Sequence, residues 1–426
     1  MKSNYNQLGQ YIEMVSRTNA DLKYGIEDVR GCSNTKTMMQ TRANLIGRTY
    51  EKFIVLKPQE FVFNRRTTRN GEKIGMAYNN TGREYIFTND YVAFRIKEEC
   101  LDILLPDYLY LFFCRSEFDR YARYISTGSA TEFFNWEDMC AVPIEVPDME
   151  FQKSIVRAYK AINKRIENKK QINDNLEATA LAVFQEQFAS YYGLSELPED
   201  WKIVNLENLC TVKGGKRLPA DCELLDTPTK HPYIRVRDVG NGRYVCLTNQ
   251  FQYIDEETHS AISRYIVNAG DIVISIVGTI GLIGKVHTSL DKANLTENCV
   301  KLANIHTVTS DYLYYTLCYK KQIKEIELLT VGAVQAKLPM YNIQSMKILV
   351  PPETVINEFQ KRIDAFNRQI EANTIEIQRL NDLQEVLLAK LSDSAAKLSF
   401  IKYGNNSCGW RELKLGTPLH SRSRRI

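Results

Sequence analysis

Asp107-Tyr108-Leu109-Tyr110 returns further along the chain as Asp311-Tyr312-Leu313-Tyr314, a shift of 204 residues (107 to 311). The same shift, without a gap, superposes further identical residues: Cys114 on Cys318, Gly128 on Gly332, Ile144 on Ile348, Val146 on Val350, Pro147 on Pro351 and Ile166-Glu167 on Ile370-Glu371. Self-similarity at one fixed offset is the signature of an internal duplication. The 426-residue chain is therefore two copies of one unit of roughly 200 residues.

Each copy begins with short runs of β-branched and aromatic residues that Gly and Asn clusters separate. Phe53-Ile54-Val55-Leu56 is such a run, and 272–277 is its counterpart in the second copy. Such runs are typical of strands in a domain with long loops. The pattern predicts an α+β fold with two similar mixed α/β domains at 1–147 and 198–350, inner helices at 107–125 and 311–329, and domain ends at Pro147 and Pro351.

A long helix with heptad periodicity is predicted after each domain, at 148–190 and 351–393. Seam residues recur at spacings of four and three, the pattern of a coiled coil. The first seam comprises Ile155, Tyr159, Ile162, Ile166, Lys169, Asn173, Leu176, Ala180 and Val183; the second comprises Phe359, Ile363, Phe366, Ile370, Asn373, Ile377, Leu380, Gln384, Leu387 and Leu391.

Neither helix is expected to be stable alone in water, so the two should pair within the chain as an antiparallel coiled coil. Polar Lys169, Asn173 and Asn373 near the middle of the seams would fix the register of the pair. The alternative is that each helix packs its apolar face on its own globular domain.

Composition and charge limit the class of protein. Lys and Arg number 55 against 51 Asp and Glu, which excludes a uniformly basic coat but leaves room for local basic patches. The ten cysteines include no C-x-x-C pair, and we find neither a signal sequence nor an apolar run of membrane length. We therefore expect reduced thiols and a cytoplasmic location.

The usual catalytic motifs do not occur. The stretch 278–285 resembles a phosphate-binding loop, but Thr279 and Val286 stand where that motif needs a glycine and a hydroxyl. The five histidines lack the spacing of a zinc site, and there is no nucleophile elbow. We predict a binding protein without a metal site or catalytic residues. Two alternatives stay open: a nuclease or methyltransferase with an unrecognised centre, and a coiled-coil scaffold that does not bind DNA.

Cations and hydroxyls cluster in the divergent part of each copy, where Arg and Asn could read base edges and Lys, Ser and Thr could hold phosphates. The candidate DNA contacts are Lys36, Asn64, Arg65, Arg66, Thr68, Arg69, Thr127 and Ser129 in the first copy, and Lys213, Lys216, Arg217, Arg235, Thr279 and Lys337 in the second. The alternatives are a solubilising loop at 64–71 and an ordinary turn at 127–129.

The order of these features resembles the specificity subunit of type I DNA restriction–modification systems. The resemblance covers nearly the whole chain. It is carried by the two domains, the heptad helices and short motifs in each copy: Leu8-Gly9 with Ile12, 201–206, Lys213-Gly214-Gly215, 270–274 and 278–281. The first copy departs from the family by Gln59-Glu60 in place of Gly-Asp and by an arginine-rich stretch, 65–69, in place of a glycine-rich turn.

The resemblance implies a non-catalytic subunit that reads DNA. Each domain would be a target recognition domain for one half of a bipartite site in double-stranded DNA, with half-sites about one helical turn (~34 Å) apart. The paired helices would be the spacer and the dock for two methyltransferase subunits, which ATP-dependent restriction subunits would join. No membrane and no cofactor of this chain are implied; S-adenosylmethionine, ATP and Mg would belong to the partner subunits.

Residues 394–426 follow the second helix as a tail. The stretch 410–416 resembles the domain opening at 201–207, and a basic run follows it at 421–426. We hypothesise that the tail is the start of a third, truncated unit; the alternative is a disordered basic tail.

Overall fold

The computed structural model describes residues 6–41, 45, 47–66, 73–127, 132–240, 242–249, 251–332 and 336–403, with side chains as far as residue 391. The chain divides into two compact units. Unit 1 comprises Met1–Tyr159 and Glu385–Ile426, and unit 2 comprises Lys160–Gln384. The predictions for Thr68, Arg69, Ser129 and residues 404–426 lie outside the described residues.

Unit 1 is built on a four-stranded antiparallel sheet of order β2-β9-β6-β7, with three two-stranded ladders, β1-β10, β3-β4 and β5-β8. The strands are β1 (Asn6–Gln7), β2 (Ile12–Val15), β3 (Arg30–Cys32), β4 (Met38–Gln40), β5 (Ile54–Leu56), β6 (Phe61–Asn64), β7 (Met76–Tyr78), β8 (Tyr85–Phe87), β9 (Tyr91–Ile96) and β10 (Pro143–Ile144). The helices are α1 (Pro106–Phe113), α2 (Ser116–Ile125), α3 (Trp136–Cys140) and the start of the 40-residue α4 (Met149–Phe188).

Unit 2 has a five-stranded sheet of order β12-β19-β16-β17-β14, a three-stranded sheet β15-β13-β18 and the ladder β11-β20. The strands are β11 (Lys202–Asn205), β12 (Thr211–Gly214), β13 (His231–Ile234), β14 (Tyr244–Val245), β15 (Gln252–Ile254), β16 (Ile272–Ser275), β17 (Ile283–Val286), β18 (Asn294–Leu295), β19 (Cys299–Ala303) and β20 (Lys347–Val350). The helices are α5 (Glu256–Ile262), α6 (Ser310–Cys318), α7 (Lys320–Leu328), α8 (Met340–Gln344) and the 51-residue α9 (Glu353–Tyr403), which also contributes to unit 1.

The main sheets of the two units share their strand order. Phe61 in β6 lies between Phe94 of β9 and Tyr78 of β7. In the same way Ile272 in β16 lies between residues of β19 and β17, Leu302 and Lys285. The duplication is thus visible in the register of the strands, and the predicted fold class, two similar mixed α/β domains each followed by a long helix, is confirmed.

The inner helix predicted over 107–125, and its counterpart over 311–329, is broken in each copy. Arg115 between α1 and α2 is extended, with ψ 143°, and Tyr319 between α6 and α7 is extended, with ψ 138°. In an unbroken helix Phe113 and Phe118 would point in directions about 140° apart. The break lets both enter the core, where their rings lie 4.8 Å apart.

Within unit 2 the long helices α4 and α9 pair in antiparallel fashion. Lys169 Nζ donates to Asn373 Oδ1 at 2.9 Å, and Gln187 further along α4 reaches the carbonyl oxygen of Val355, nearer the start of α9, at 3.4 Å. As residue numbers rise along α4, those of the partners fall. Asn373 is buried and also donates to Asn173 at 2.8 Å, so the polar seam residues, which were predicted to fix the register, bond to one another.

The ends of the long helices also pack on the globular domains. In unit 2, Phe184, Phe188 and Phe359 belong to one buried cluster with Tyr312 of α6. In unit 1, Val156 and Leu391 join the core of the first domain. The helices therefore do both things that the sequence left open: their seams pair with each other, and their ends pack on the domains.

Candidate nucleic-acid interface

In unit 2, several of the predicted DNA contacts lie at one end of the main sheet. The last residues of β12 and β16 pair with the first residues of β19, Gly214 opposite Val300 and Ser275 opposite Cys299. The chain that leaves β12 carries Lys216 and Arg217, and the chain that leaves β16 carries Thr279. Antiparallel pairing thus brings two sequence-distant segments to one edge.

In each unit one residue forms β-bridges with two other segments at this end of the main sheet, and we call this contact the three-segment bridge. In unit 1 Phe133 bridges both Arg66, just after β6, and Thr127, just after α2. In unit 2 Lys337 bridges both Val277, just after β16, and Val331, just after α7. The residue after the bridging one donates its backbone N–H to the strand end: Phe134 to the carbonyl oxygen of Arg65 at 2.8 Å and Leu338 to that of Ile276 at 2.9 Å.

In unit 1 the bridge brings three predicted contacts together. Arg65, Arg66 and Thr127 are exposed. Asn64 holds the turn that precedes them, because its Oδ1 accepts the backbone N–H of Arg66 at 3.0 Å. Two exposed guanidinium groups and a hydroxyl therefore share one edge, where a phosphate or a base edge could be bound.

In unit 2 the equivalent edge presents Lys213, Lys216, Thr279 and Lys337, all exposed. Arg217 is exposed over 81% of its side chain, although its Nε donates to Glu297 at 2.8 Å. Exposed lysines contact phosphates mainly as point charges, so this edge suits a nucleic-acid backbone.

The backbone geometry at Gly215 requires a glycine. A Cβ on Gly215 would lie 2.0 Å from the carbonyl oxygen of Thr296, so no other residue fits without moving the backbone. The backbone N–H of Gly215 donates to Cys299 at 3.0 Å and that of Lys216 to Leu295 at 2.8 Å. This close approach fixes the position from which Lys216 and Arg217 project.

Lys36, a candidate DNA contact from the sequence, is buried in the structure. Its side chain is buried, its ammonium group pairs with Asp119 of α2, and it donates to the carbonyl oxygen of Ile74 at 2.8 Å. Burial lowers the pKa of Lys36, and the Asp119 carboxylate opposes that shift. As placed, the ammonium group is engaged and cannot reach a phosphate.

The Lys36 contact instead stabilises the segment that leads into β7. Asp119 also accepts the backbone N–H of Ile74 at 3.0 Å. Ile74 lies two residues before β7 (Met76–Tyr78). Lys36 and Asp119 together tie this segment to α2. The sequence did not indicate Asp119, which lies 83 residues from Lys36.

Arg235 is likewise engaged rather than free. Its backbone N–H donates to Asp238 at 2.9 Å, its Nε reaches the same carboxylate at 3.3 Å, and its Nη1 donates to Gln252. Burial lowers the pKa of Arg235, and Asp238 opposes the shift. We therefore give Arg235 a structural role in the turn after β13 and leave it out of the proposed DNA contacts.

A buried polar network that the sequence did not reveal centres on Arg243 in unit 2. The Arg243 side chain is fully buried. It donates to the Asp311 carboxylate, to the Tyr315 hydroxyl and, at 3.4 Å, to Glu177 of α4. Tyr315 also places its ring 5.0 Å from the guanidinium group, a cation–π contact.

Asp311, the first residue of the duplicated tetrapeptide in the second copy, accepts most of the bonds in this network. Lys285 of β17 donates to it at 2.6 Å, and Gln360 and Asn367 of α9 donate at 2.9 and 2.8 Å. Burial alone would raise the pKa of the Asp311 carboxyl, but Lys285 and Arg243 outweigh it, and the pKa is lowered. The network therefore joins the sheet, α6 and both long helices within unit 2.

The described residues form no metal-binding cluster, disulfide or membrane-spanning helix. No group of three or more His, Cys, Asp or Glu side chains among the described residues is arranged to hold a metal ion. None of the nine cysteines in the described ranges is in a disulfide. Within those same ranges, each helix is too short or too polar to cross a lipid bilayer.

The fold and the two edges define a protein made of two copies of one mixed α/β domain, each with a cation-bearing sheet edge, and two long helices that contribute to both units. The sequence model of the type I restriction modification DNA specificity domain matches residues 27–178 and, a second time, residues 198–387. The chain belongs to this family of specificity subunits.

Individual relatives are distant. The type I restriction enzyme MjaIX specificity subunit of Methanocaldococcus jannaschii is 24% identical over 302 residues, covering 68% of this chain and 69% of that protein. The HindI specificity subunit of Haemophilus influenzae is 20% identical over 395 residues, covering 73% and 83%. The crystal structure of a type I restriction-modification system S subunit from M. genitalium aligns over 92% of this chain and 97% of its own, at 15% identity and a TM-score of 0.45.

Proposed function

We propose that this chain binds double-stranded DNA and supplies the sequence specificity of a type I restriction–modification complex, with each unit reading one half of a bipartite site. The observation that carries the proposal is the duplicated edge. In both units the three-segment bridge lies at a strand end, and exposed cations lie at the same end of the sheet: Arg65 and Arg66 in unit 1, and Lys213, Lys216 and Lys337 in unit 2.

The chemistry of the two edges differs in a way that suits two different half-sites. Arginine can bind the O6 and N7 atoms of guanine with two hydrogen bonds, whereas lysine acts mainly as a point charge. Unit 1 presents Arg65 and Arg66, and unit 2 presents mainly lysines. We infer that the two units share a backbone-binding mode and read different bases.

We further propose that α4 and α9 dock two methyltransferase subunits, which restriction subunits join. Apolar side chains outside the paired seam support this role: Ile172 of α4 and Leu383 of α9 are 43% and 50% exposed. Exposed apolar side chains on a helix suit a protein partner. In this proposal the chain has no catalytic residues, and S-adenosylmethionine, ATP and Mg act in the partner subunits.

The central test is an exchange of one domain. Residues 198–350 are replaced by the matching segment of another specificity subunit, and methylated adenines are mapped by single-molecule sequencing of genomic DNA. We expect a split motif in which one half changes and the other is kept, because each edge belongs to a single unit. A motif in which both halves changed would overturn the one-unit, one-half assignment.

The exposed lysines of unit 2 can be tested through the salt dependence of DNA binding. In the triple variant Lys213→Gln, Lys216→Gln and Lys337→Gln, log K for duplex DNA should fall less steeply with log salt. The slope should decrease by up to about 2.7, because each lost phosphate contact removes about 0.9.

The matched control neutralises exposed lysines on the long helices of the same unit, Lys164→Gln, Lys170→Gln and Lys361→Gln. This variant has the same net charge as the first, so its slope should stay close to that of the wild type. Equal slopes for both triple variants would show that the edge is not where DNA binds.

A further inference from the structure

Two large apolar side chains stand out at matching positions of the duplication. Tyr124 and Leu328 are each 85% exposed, and the shift between them is again 204 (124 to 328). A single exposed apolar residue is ordinary on a protein surface. The same exposure at the same place in two divergent copies calls for a common cause.

Each of these residues has a cation on the same helix face. Arg120 precedes Tyr124 by four residues in α2, and Lys324 precedes Leu328 by four residues in α7. Positions four apart lie on one face of a helix. The Arg120 side chain is 71% exposed, with a 3.5 Å contact to Glu117, and Lys324 is exposed as well.

Both residues sit beside the three-segment bridge. Tyr124 precedes Thr127 of the bridge by three residues, and Arg123 next to it pairs with Glu132, next to Phe133 of the bridge, at 3.0 Å. Leu328 precedes Val331, which is itself 48% exposed. In α7 the neighbouring Ile326 also lies against the loop that carries Thr279, because a Cβ on Gly281 would be 3.3 Å from it.

We propose that Tyr124 and Leu328 are wedges that insert between adjacent base pairs, one in each half-site, while Arg120 and Lys324 hold the flanking phosphates. This inference rests on the proposed function. Apolar side chains, including leucine, insert at base steps and unstack them, and an aromatic ring can also stack on the opened base. Each face offers a large side chain with apolar surface, a ring or a leucine, together with a cation, which complements the apolar interior and the charged backbone of a duplex.

The test uses the full chain and a duplex that the wild-type chain selects from a random pool. 2-Aminopurine is placed at each position of the selected duplex in turn, and its fluorescence reports local unstacking. We expect a rise at one step in each half-site with the wild-type chain. Tyr124→Ala should abolish the rise in one half only, and Leu328→Ala should abolish it in the other, each with affinity weakened by about tenfold.

Conservative variants and matched controls separate insertion from a loss of fold. Tyr124→Phe keeps the aromatic ring, Leu328→Met keeps a long apolar side chain, and both variants should keep the rise. Ile103→Ala and Ile203→Ala remove exposed apolar side chains elsewhere, 49% and 55% exposed, and should change neither signal.

Different failures have different meanings. If the wild-type chain selects no duplex, the proposed function fails and the wedge with it. If it binds a duplex with no fluorescence rise, or if the alanine variants unstack DNA like the wild type, only the wedge is overturned. Normal unstacking combined with weaker capture of a methyltransferase subunit would assign Tyr124 and Leu328 to a protein interface instead.

Discussion

Arg243→Ala is expected to lower the unfolding free energy of unit 2 by about 3–5 kcal/mol, the cost of removing one partner from a buried ion-pair network. The substitution leaves Asp311 and Glu177 with fewer partners inside the protein. It also opens a cavity against the rings of Tyr314 and Tyr315, which lie 4.9 and 5.0 Å from the guanidinium group. Both effects act in the same direction, because the lost contacts and the unpaired acids each destabilise the folded state.

The measurement must report on unit 2 alone, since a chain with two units need not unfold in one step. The chain has three tryptophans, and Trp201 lies in unit 2, where its ring stacks on Tyr191 at 3.9 Å. Urea unfolding is therefore followed by Trp201 fluorescence in a Trp136→Phe, Trp410→Phe background. The expected result is a clear fall in the midpoint for Arg243→Ala.

Arg264→Ala supplies the matched control for this prediction, because Arg264 is an exposed arginine of the same unit. Exposed substitutions away from special contacts change stability by about 0.5 kcal/mol or less. An Arg243→Ala midpoint equal to that of Arg264→Ala would mean that the network does not hold the sheet and the long helices together.

The duplication allowed the fold to be predicted from the sequence. A fixed shift of 204 residues located both copies, and the spacing of the seams located both long helices and their polar residues. These signals are periodic or repeated, so they can be recognised in the linear sequence without knowledge of the fold. Asn373 is the best case: a polar residue on an apolar seam was predicted to fix register, and the structure shows it bonded to Lys169 and Asn173.

The edges were predictable only in part. Arg65, Arg66, Lys216 and Lys337 are exposed as a cation-rich loop suggests, but which segments meet at the bridge depends on strand register that no local pattern fixes. Arg235 could have been recognised as engaged, because Asp238 follows it by three residues in the sequence.

The duplicated aspartate, Asp107 and Asp311, shows what the sequence could not predict: the partner of a repeated residue. Asp311 meets Lys285 of β17, whereas Asp107 in the first copy hydrogen bonds with Tyr78, the residue at the matching register position of β7. The aspartate is kept in both copies while its partner differs. The repeat therefore indicated that the position matters, but its partner could be identified only from the three-dimensional structure.

Lys36→Met should lower the unfolding free energy of unit 1 by about as much as Arg243→Ala lowers that of unit 2, again about 3–5 kcal/mol. The change leaves the buried Asp119 carboxylate with the backbone N–H of Ile74 at 3.0 Å as its remaining described donor. The double variant Lys36→Met with Asp119→Leu removes both the ammonium group and the carboxylate of the buried pair. Replacing both members of a buried pair with apolar groups is often close to neutral, so most of the lost stability should return.

The same double variant decides between the two roles that sequence and structure give to Lys36. Stability is read from Trp136 of unit 1 in a Trp201→Phe, Trp410→Phe background, and DNA affinity is measured over a range of salt, with the exposed Lys52→Met as the control. If Lys36 has only a structural role beside Ile74, the double variant binds duplex DNA with the salt slope of the wild type. If Lys36 contacted a phosphate, that slope would fall by about 0.9 in the double variant, although its stability had been restored. A stable double variant with the reduced slope would thus return Lys36 to the DNA-binding edge, and it would require the buried pair with Asp119 to open when DNA binds.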